Sequence, residues 1–65
     1  MKVERFIKEY ALYRIRELES FITNDIDDHM EEEIIRRMVR IRRIVNARES
    51  GLISVREAMQ AIMEA

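Results

Sequence analysis

The chain has 65 residues, twelve basic and thirteen acidic, with a net charge of −1, a single histidine, and neither cysteine nor proline. A lone core of this size supplies only about 3–5 kcal/mol unless a disulfide, a metal or a partner subunit adds to it; without Cys there is no disulfide, and one His lacks the company of ligands that a structural zinc needs, so association with another chain is the remaining support. The near-neutral charge gives no overall bias toward nucleic acid or an anionic membrane, no apolar run approaches the roughly 20 residues of a membrane span, and no signal-peptide pattern opens the sequence, which together predict a cytoplasmic protein without membrane contact.

From Val3 to Ile22 the apolar residues Val3, Phe6, Ile7, Tyr10, Ala11, Leu18, Phe21 and Ile22 recur at three- and four-residue intervals, which predicts helix 1 over about residues 3–22. Tyr13 and Ile15 widen that stripe to about 200°, more than one neighbouring helix covers. Helix 1 is therefore expected to meet two neighbours, one of them from a second copy, with Phe6, Tyr10, Tyr13 and Phe21 as the candidate oligomer interface. The polar face offers Glu4 to Lys8 and Arg5 to Glu9 at helical pairing distance.

Thr23-Asn24-Asp25-Ile26-Asp27-Asp28 is dense in residues that compete with helical backbone and favour turns and N-caps. Asn24 or Asp27 is placed to cap helix 2, predicted over about 27–49, and Asp28, Glu31, Glu32 and Glu33 put negative charge in its first turns, where the helix dipole favours it. Met30, Ile34, Met38, Ile41 and Val45 share one face, with Ile44 beside them. Two helices of about 30 Å joined by a short polar link predict an antiparallel hairpin.

Gly51, the one glycine, marks the end of helix 2. As the residue after a C-cap it takes a left-handed conformation at no steric cost, with Leu52 placed for the accompanying apolar contact. Ser54 and Glu57 then read as a capping box, and Ile53 with Ala58 as a hydrophobic staple, so helix 3 is expected over about 55–64, presenting Val55, Ala58, Met59 and Ile62. It is too short to stand without packing on the other two.

Asp25, Asp27 and His29 occupy the first, third and fifth positions of a calcium-loop template, but Met30 stands where the turn needs Gly and Arg36 where a bidentate Glu belongs. No metal site is expected, and these acids serve capping and the helix dipole instead. Nucleophilic chemistry lacks a Cys, a second His and a Gly-rich phosphate loop, and the abundant carboxylates lack a core large enough to shift their pKa values. No enzyme activity and no cofactor are expected.

The most unusual local feature is a change of sign along helix 2, from acids through Glu33 to Arg36, Arg37, Arg40, Arg42 and Arg43. Arg36, Arg40 and Arg43 align as one stripe. Glu32 is spaced to pair with Arg36 and Glu33 with Arg37, whereas Arg40 and Arg43 have no acid at pairing distance in their own helix. Arginine favours planar, bidentate recognition, which makes Arg36, Arg40 and Arg43 the candidate partner-binding residues. The neighbouring acids weigh against nucleic acid, kept as the alternative partner. Helix 1 is no better as a membrane helix, because its acids cancel its bases.

Ile41, Ile44, Gly51, Ile53, Ser54 and Glu57 follow the pattern of the short helical hairpin module called SHOCT, which residues 41–65 resemble; Ala58 stands where that family has Phe, and Ile62 where it has Lys. The resemblance implies an oligomerising or interaction role. Val55-Arg56-Glu57-Ala58-Met59 also resembles the recognition helix of GntR-type winged-helix regulators, although Ser50, Glu57 and Gln60 depart from its apolar positions. Together these features predict an all-α single domain: two long helices and a short third, completed by dimerisation. Its expected role is that of a small regulator or adaptor that binds another protein.

Overall fold

Each of the three helices is built by signals local to it, and their packing follows from which faces those signals leave apolar. The computed structural model describes residues 3–65 and is all-helical, with α1 over Val3–Glu19, α2 over Asp28–Glu49 and α3 over Val55–Glu64. No strand occurs among the described residues.

Helix α1 ends three residues before its apolar periodicity does. Ser20 still donates to Arg16 O, but the next two amides bond three residues back, Phe21 to Leu18 O and Ile22 to Glu19 O, so the last turn tightens out of α geometry. Asp27 is the N-cap of α2 through its extended backbone (φ −66°, ψ 138°), without a side-chain bond to the first turn. At the other end of α2, Gly51 adopts φ 77°. Its N–H donates to Arg48 O and that of Leu52 to Ala47 O, which together form a Schellman stop that occupies two otherwise orphaned carbonyls. Leu52 does not bury in the cap as expected; it stays 78% exposed. The capping box is complete: Glu57 N–H donates to Ser54 Oγ at 3.1 Å, and Ser54 N–H to Glu57 Oε1 at 2.9 Å.

The core draws Ile7, Ala11, Ile15 and Leu18 from α1, Ile34 and Ile41 from α2, and Ala58 and Ile62 from α3, with Ala65 just beyond. Met38, Ile44, Val45 and Ile53 pack partly against it, whereas Met30, expected on the core face, stays exposed near the end of α1. Glu4 pairs with Arg48 at 2.8 Å and Lys8 with Glu49 at 2.7 Å, so the first turns of α1 lie beside the last turn of α2. At the far end Leu18 and Phe21 share a groove with Ile26, Met30 and Ile34. A chain of this length packed isotropically has a radius of gyration near 11 Å; the observed 12.8 Å and extents of 42 × 19 × 16 Å describe an elongated body with a thin core.

Helix α3 is tied down by arginines from the other two helices. Its own last turn carries no basic residue, yet Arg14 of α1 and Arg37 of α2 both donate to the main-chain oxygen of Ala65, at 3.0 and 3.1 Å. They supply the positive charge and the donors that a helix C-terminus lacks. Arg48 holds the other end, donating to Glu4 of α1 and to the carbonyl of Ile53 ahead of α3.

Candidate protein-interaction surface

Along α2 no acid appears between Ile34 and Arg48, and the arginines in that stretch separate by the direction they face. Arg37 and Arg48 turn toward α3 and are engaged there. Arg36, Arg40 and Arg43, four and three residues apart, share the outer face. With Ile35 and Val39 they line one shallow, solvent-open depression. All five are exposed, Ile35 to 45% and Val39 to 41%. The structure thus gathers the three arginines singled out from the sequence and adds two aliphatic side chains that periodicity alone did not mark as a site.

The ion pairs differ from those the spacing suggested. Arg36 meets Glu33 at 3.6 Å rather than Glu32, and Arg37 is drawn away to Ala65. Arg5 pairs with Glu9 at 3.2 Å, but Lys8 leaves Glu4 for Glu49. The Lys8 pKa is raised, first by its hydrogen bond to Glu49, then by the charges of Glu49 and Glu4. Among the described residues Arg40, Arg42 and Arg43 form no salt bridge.

The candidate oligomer residues of helix 1 do not form one patch. Phe6 and Tyr10 stack with ring centroids 6.4 Å apart, and Tyr13 follows a turn later on the same flank. Phe21 lies beyond the end of α1, in the groove with Ile26 and Met30. Phe6, Tyr13 and Phe21 are 52%, 61% and 62% exposed, and Tyr10 is half-buried.

A second solvent-open groove runs between α1 and α2, lined by Lys8, Leu12, Ile15, Arg42, Val45 and Asn46 among others, with no residue of α3. The crevice shared by α2 and α3 contains Arg40 and Ile44 instead, on the flank of α2 away from Arg42 and Asn46. Helix α3 therefore covers one side of the pair α1 and α2, and the other side is left open.

No family model, curated protein or solved structure matches this chain.

The SHOCT-like pattern accordingly rests on residues whose presence capping and core packing already explain: Gly51 for the Schellman stop, Ser54 and Glu57 for the box, and Ile41, Ile44 and Ile53 for the core. Among the described residues no group of three or more His, Cys, Asp or Glu side chains is placed to hold a metal ion, and no helix is long and apolar enough to cross a membrane. The arginines that sequence reasoning missed are Arg14 and Arg48. Arg14 has a side chain only 18% exposed, joins Glu17 and Ala65, and leaves its Nε buried without a partner. Nothing in its local sequence separates it from the solvated arginines, because its burial depends on where the far end of α3 comes to rest.

Proposed function

We propose that this chain is a small non-enzymatic interaction module, a regulator or adaptor acting in the cytoplasm that binds another protein and associates with itself. The observation that carries the reading is the depression of Ile35, Arg36, Val39, Arg40 and Arg43, where aliphatic area adjoins Arg36, paired with Glu33, and Arg40 and Arg43, which form no salt bridge among the described residues. Exposed apolar surface rimmed by arginine is the composition of protein-binding patches rather than of enzyme clefts. The contacts of opposite ends of α1 and α2 support an antiparallel hairpin as the scaffold that presents this surface.

Charge reversal at Arg40 and Arg43 tests the site. The double variant Arg40→Glu/Arg43→Glu is expected to fold as the wild type does, since both side chains are exposed, and to lose at least tenfold in affinity for any protein the wild type captures. Unchanged capture by the double variant rejects these residues. Nucleic acid is the second reading, favoured by Arg40 and Arg43, which form no salt bridge among the described residues; it predicts binding that falls steeply with added salt and capture that nuclease abolishes.

A further inference from the structure

Helix α2 carries an exposed seam that complements itself. Asp28, Glu32, Ile35, Val39, Arg42 and Asn46 are spaced four, three, four, three and four residues apart, the interval that keeps side chains on one line of a helix packed against another. Every one of the six is exposed. Read in opposite directions, the line matches its own reversal about the level of Arg37: Ile35 falls opposite Val39, Glu32 opposite Arg42, and Asp28 opposite Asn46. The acidic half of α2 thus meets the basic half of another α2. The exposed aromatics Phe6 and Tyr13 of α1 and Phe21 beyond its end form no such continuous line, being split between the flank of α1 and the groove with Ile26 and Met30.

We infer that the occupant of this face is a second copy of the same chain, its α2 lying antiparallel along the seam in a two-fold dimer. This rests on the reading of the α2 surface as protein-binding and names its partner. Three observations support the choice of a copy over an unrelated acidic helix. Glu32 has no salt bridge among the described residues, and neither has Arg42, so both are free to pair across the axis. The apolar pair sits at the centre of the seam with charges at its ends, the distribution that a buried core and a wet rim require. The open flank adds apolar area, because Leu12, 46% exposed, and half-buried Val45 lie in the groove beside Arg42, where a second α2 would cover them. Arg36 comes close to its own copy near the axis and keeps Glu33 as its counter-ion. The isologous contact satisfies the symmetry of a closed dimer. A contact centred on one helix per copy is smaller than the roughly 800 Å² per partner of a standard interface, the size class of weak, reversible association.

Sedimentation equilibrium of the full chain over a range from about 1 µM to 1 mM tests this, with circular dichroism to verify that each variant stays helical. The wild type is expected to pass from monomer to dimer. Glu32→Arg and Arg42→Glu are each expected to weaken association about tenfold or more through like-charge contacts, and the double swap Glu32→Arg/Arg42→Glu to restore it. An unrelated acidic partner offers no reason for that rescue. A wild type that stays monomeric throughout, or single swaps that have no effect, or a double swap that fails to restore association, each overturns the proposal. If the wild type is monomeric while Arg40→Glu/Arg43→Glu loses a captured protein, self-pairing falls and the interaction reading stands. If the charge swap rescues dimerisation while capture ignores Arg40 and Arg43, self-pairing stands and the role of those two residues falls.

Discussion

The two sides of the pair formed by α1 and α2 are built from similar residues and finished differently. On one side α3 is started by a capping box and held at its far end by Arg14 and Arg37. Its Ala58 and Ile62 complete the core over Ile7 and Ile41, all four essentially inaccessible. On the other side Leu12, Ile35 and Val39 remain between 41% and 46% exposed, and Arg42 and Asn46 line an unfilled groove. The difference teaches that apolar periodicity alone does not decide burial here. What decides it is whether the chain supplies a third helix with terminal hydrogen bonds strong enough to hold it in place, and it supplies one for a single side.

The largest expected effect breaks the comparison at its covered side. Ile41 is fully buried where α2 meets the other helices, and Ile41→Ala should cost about 2–5 kcal/mol through lost transfer energy and the cavity left behind. A core of this size holds only about 3–5 kcal/mol in all, so the variant should lose its cooperative thermal transition. Val39, two residues away and facing out, provides the contrast. At protein concentrations too low for dimer, Val39→Ala should shift stability by no more than about 0.5 kcal/mol. Equal losses at the two positions, followed by denaturant titration at low concentration, would show that the open side is packed after all.

A smaller effect separates the caps from the core. Gly51→Ala has space for its Cβ, with nothing within 4 Å, but the methyl must accept φ 77°, a left-handed geometry that costs about 1–2 kcal/mol for a residue with a Cβ. Ser54→Ala removes the acceptor for Glu57 N–H and should cost about 1 kcal/mol. Both changes act on the junction between α2 and α3, so the midpoint of urea unfolding should fall in each. Gly51→Asn should recover part of the loss, since Asn tolerates the left-handed region better than Ala does.

These same residues show what was legible in the sequence. Gly51, Ser54 and Glu57 act through bonds spanning three to five residues, so their chemistry is visible in a short window, and the start of α3 could be placed from them. The end of α1 was less legible, because Phe21 and Ile22 keep helical spacing while their amides have already turned to carbonyls three residues back. The stripe of Arg36, Arg40 and Arg43 follows from spacing alone. Its neighbours do not: whether Arg37 joins the stripe or leaves it depends on the position of Ala65, and whether Lys8 pairs with Glu4 or Glu49 depends on the approach of α2. Long-range partners of flexible cations are set by tertiary packing, which no local pattern encodes. The seam on α2 is not legible in the sequence for a related reason, since only the packing reveals which of its faces is left uncovered.

The smallest expected effect distinguishes the two sides by pH. The Glu57 carboxyl lies below the ordinary carboxylate range because the main-chain N–H of Ser54 donates to it, with a lesser share from the Ser54 hydroxyl. A depressed folded value means that its contribution is present above the unfolded pKa, about 4.3 for Glu, and is lost as pH falls through the folded value. Lys8, beside the open groove, is shifted the other way by Glu49. Its contribution is complete below the unfolded value, about 10.4, and is lost as pH rises through the folded one. Both groups are exposed, so each effect is small and is read as a difference between variants. The stability gap between wild type and Glu57→Gln should narrow only on the acid limb, and that between wild type and Lys8→Gln only on the alkaline limb. The Lys8 gap should also shrink in high salt, because a surface ion pair is screened. The Glu57 gap should persist better, since it rests on a direct hydrogen bond within the cap, and a Glu57 gap that vanished with salt as readily as the Lys8 gap would mean that α3 is held at its start by charge rather than by the box.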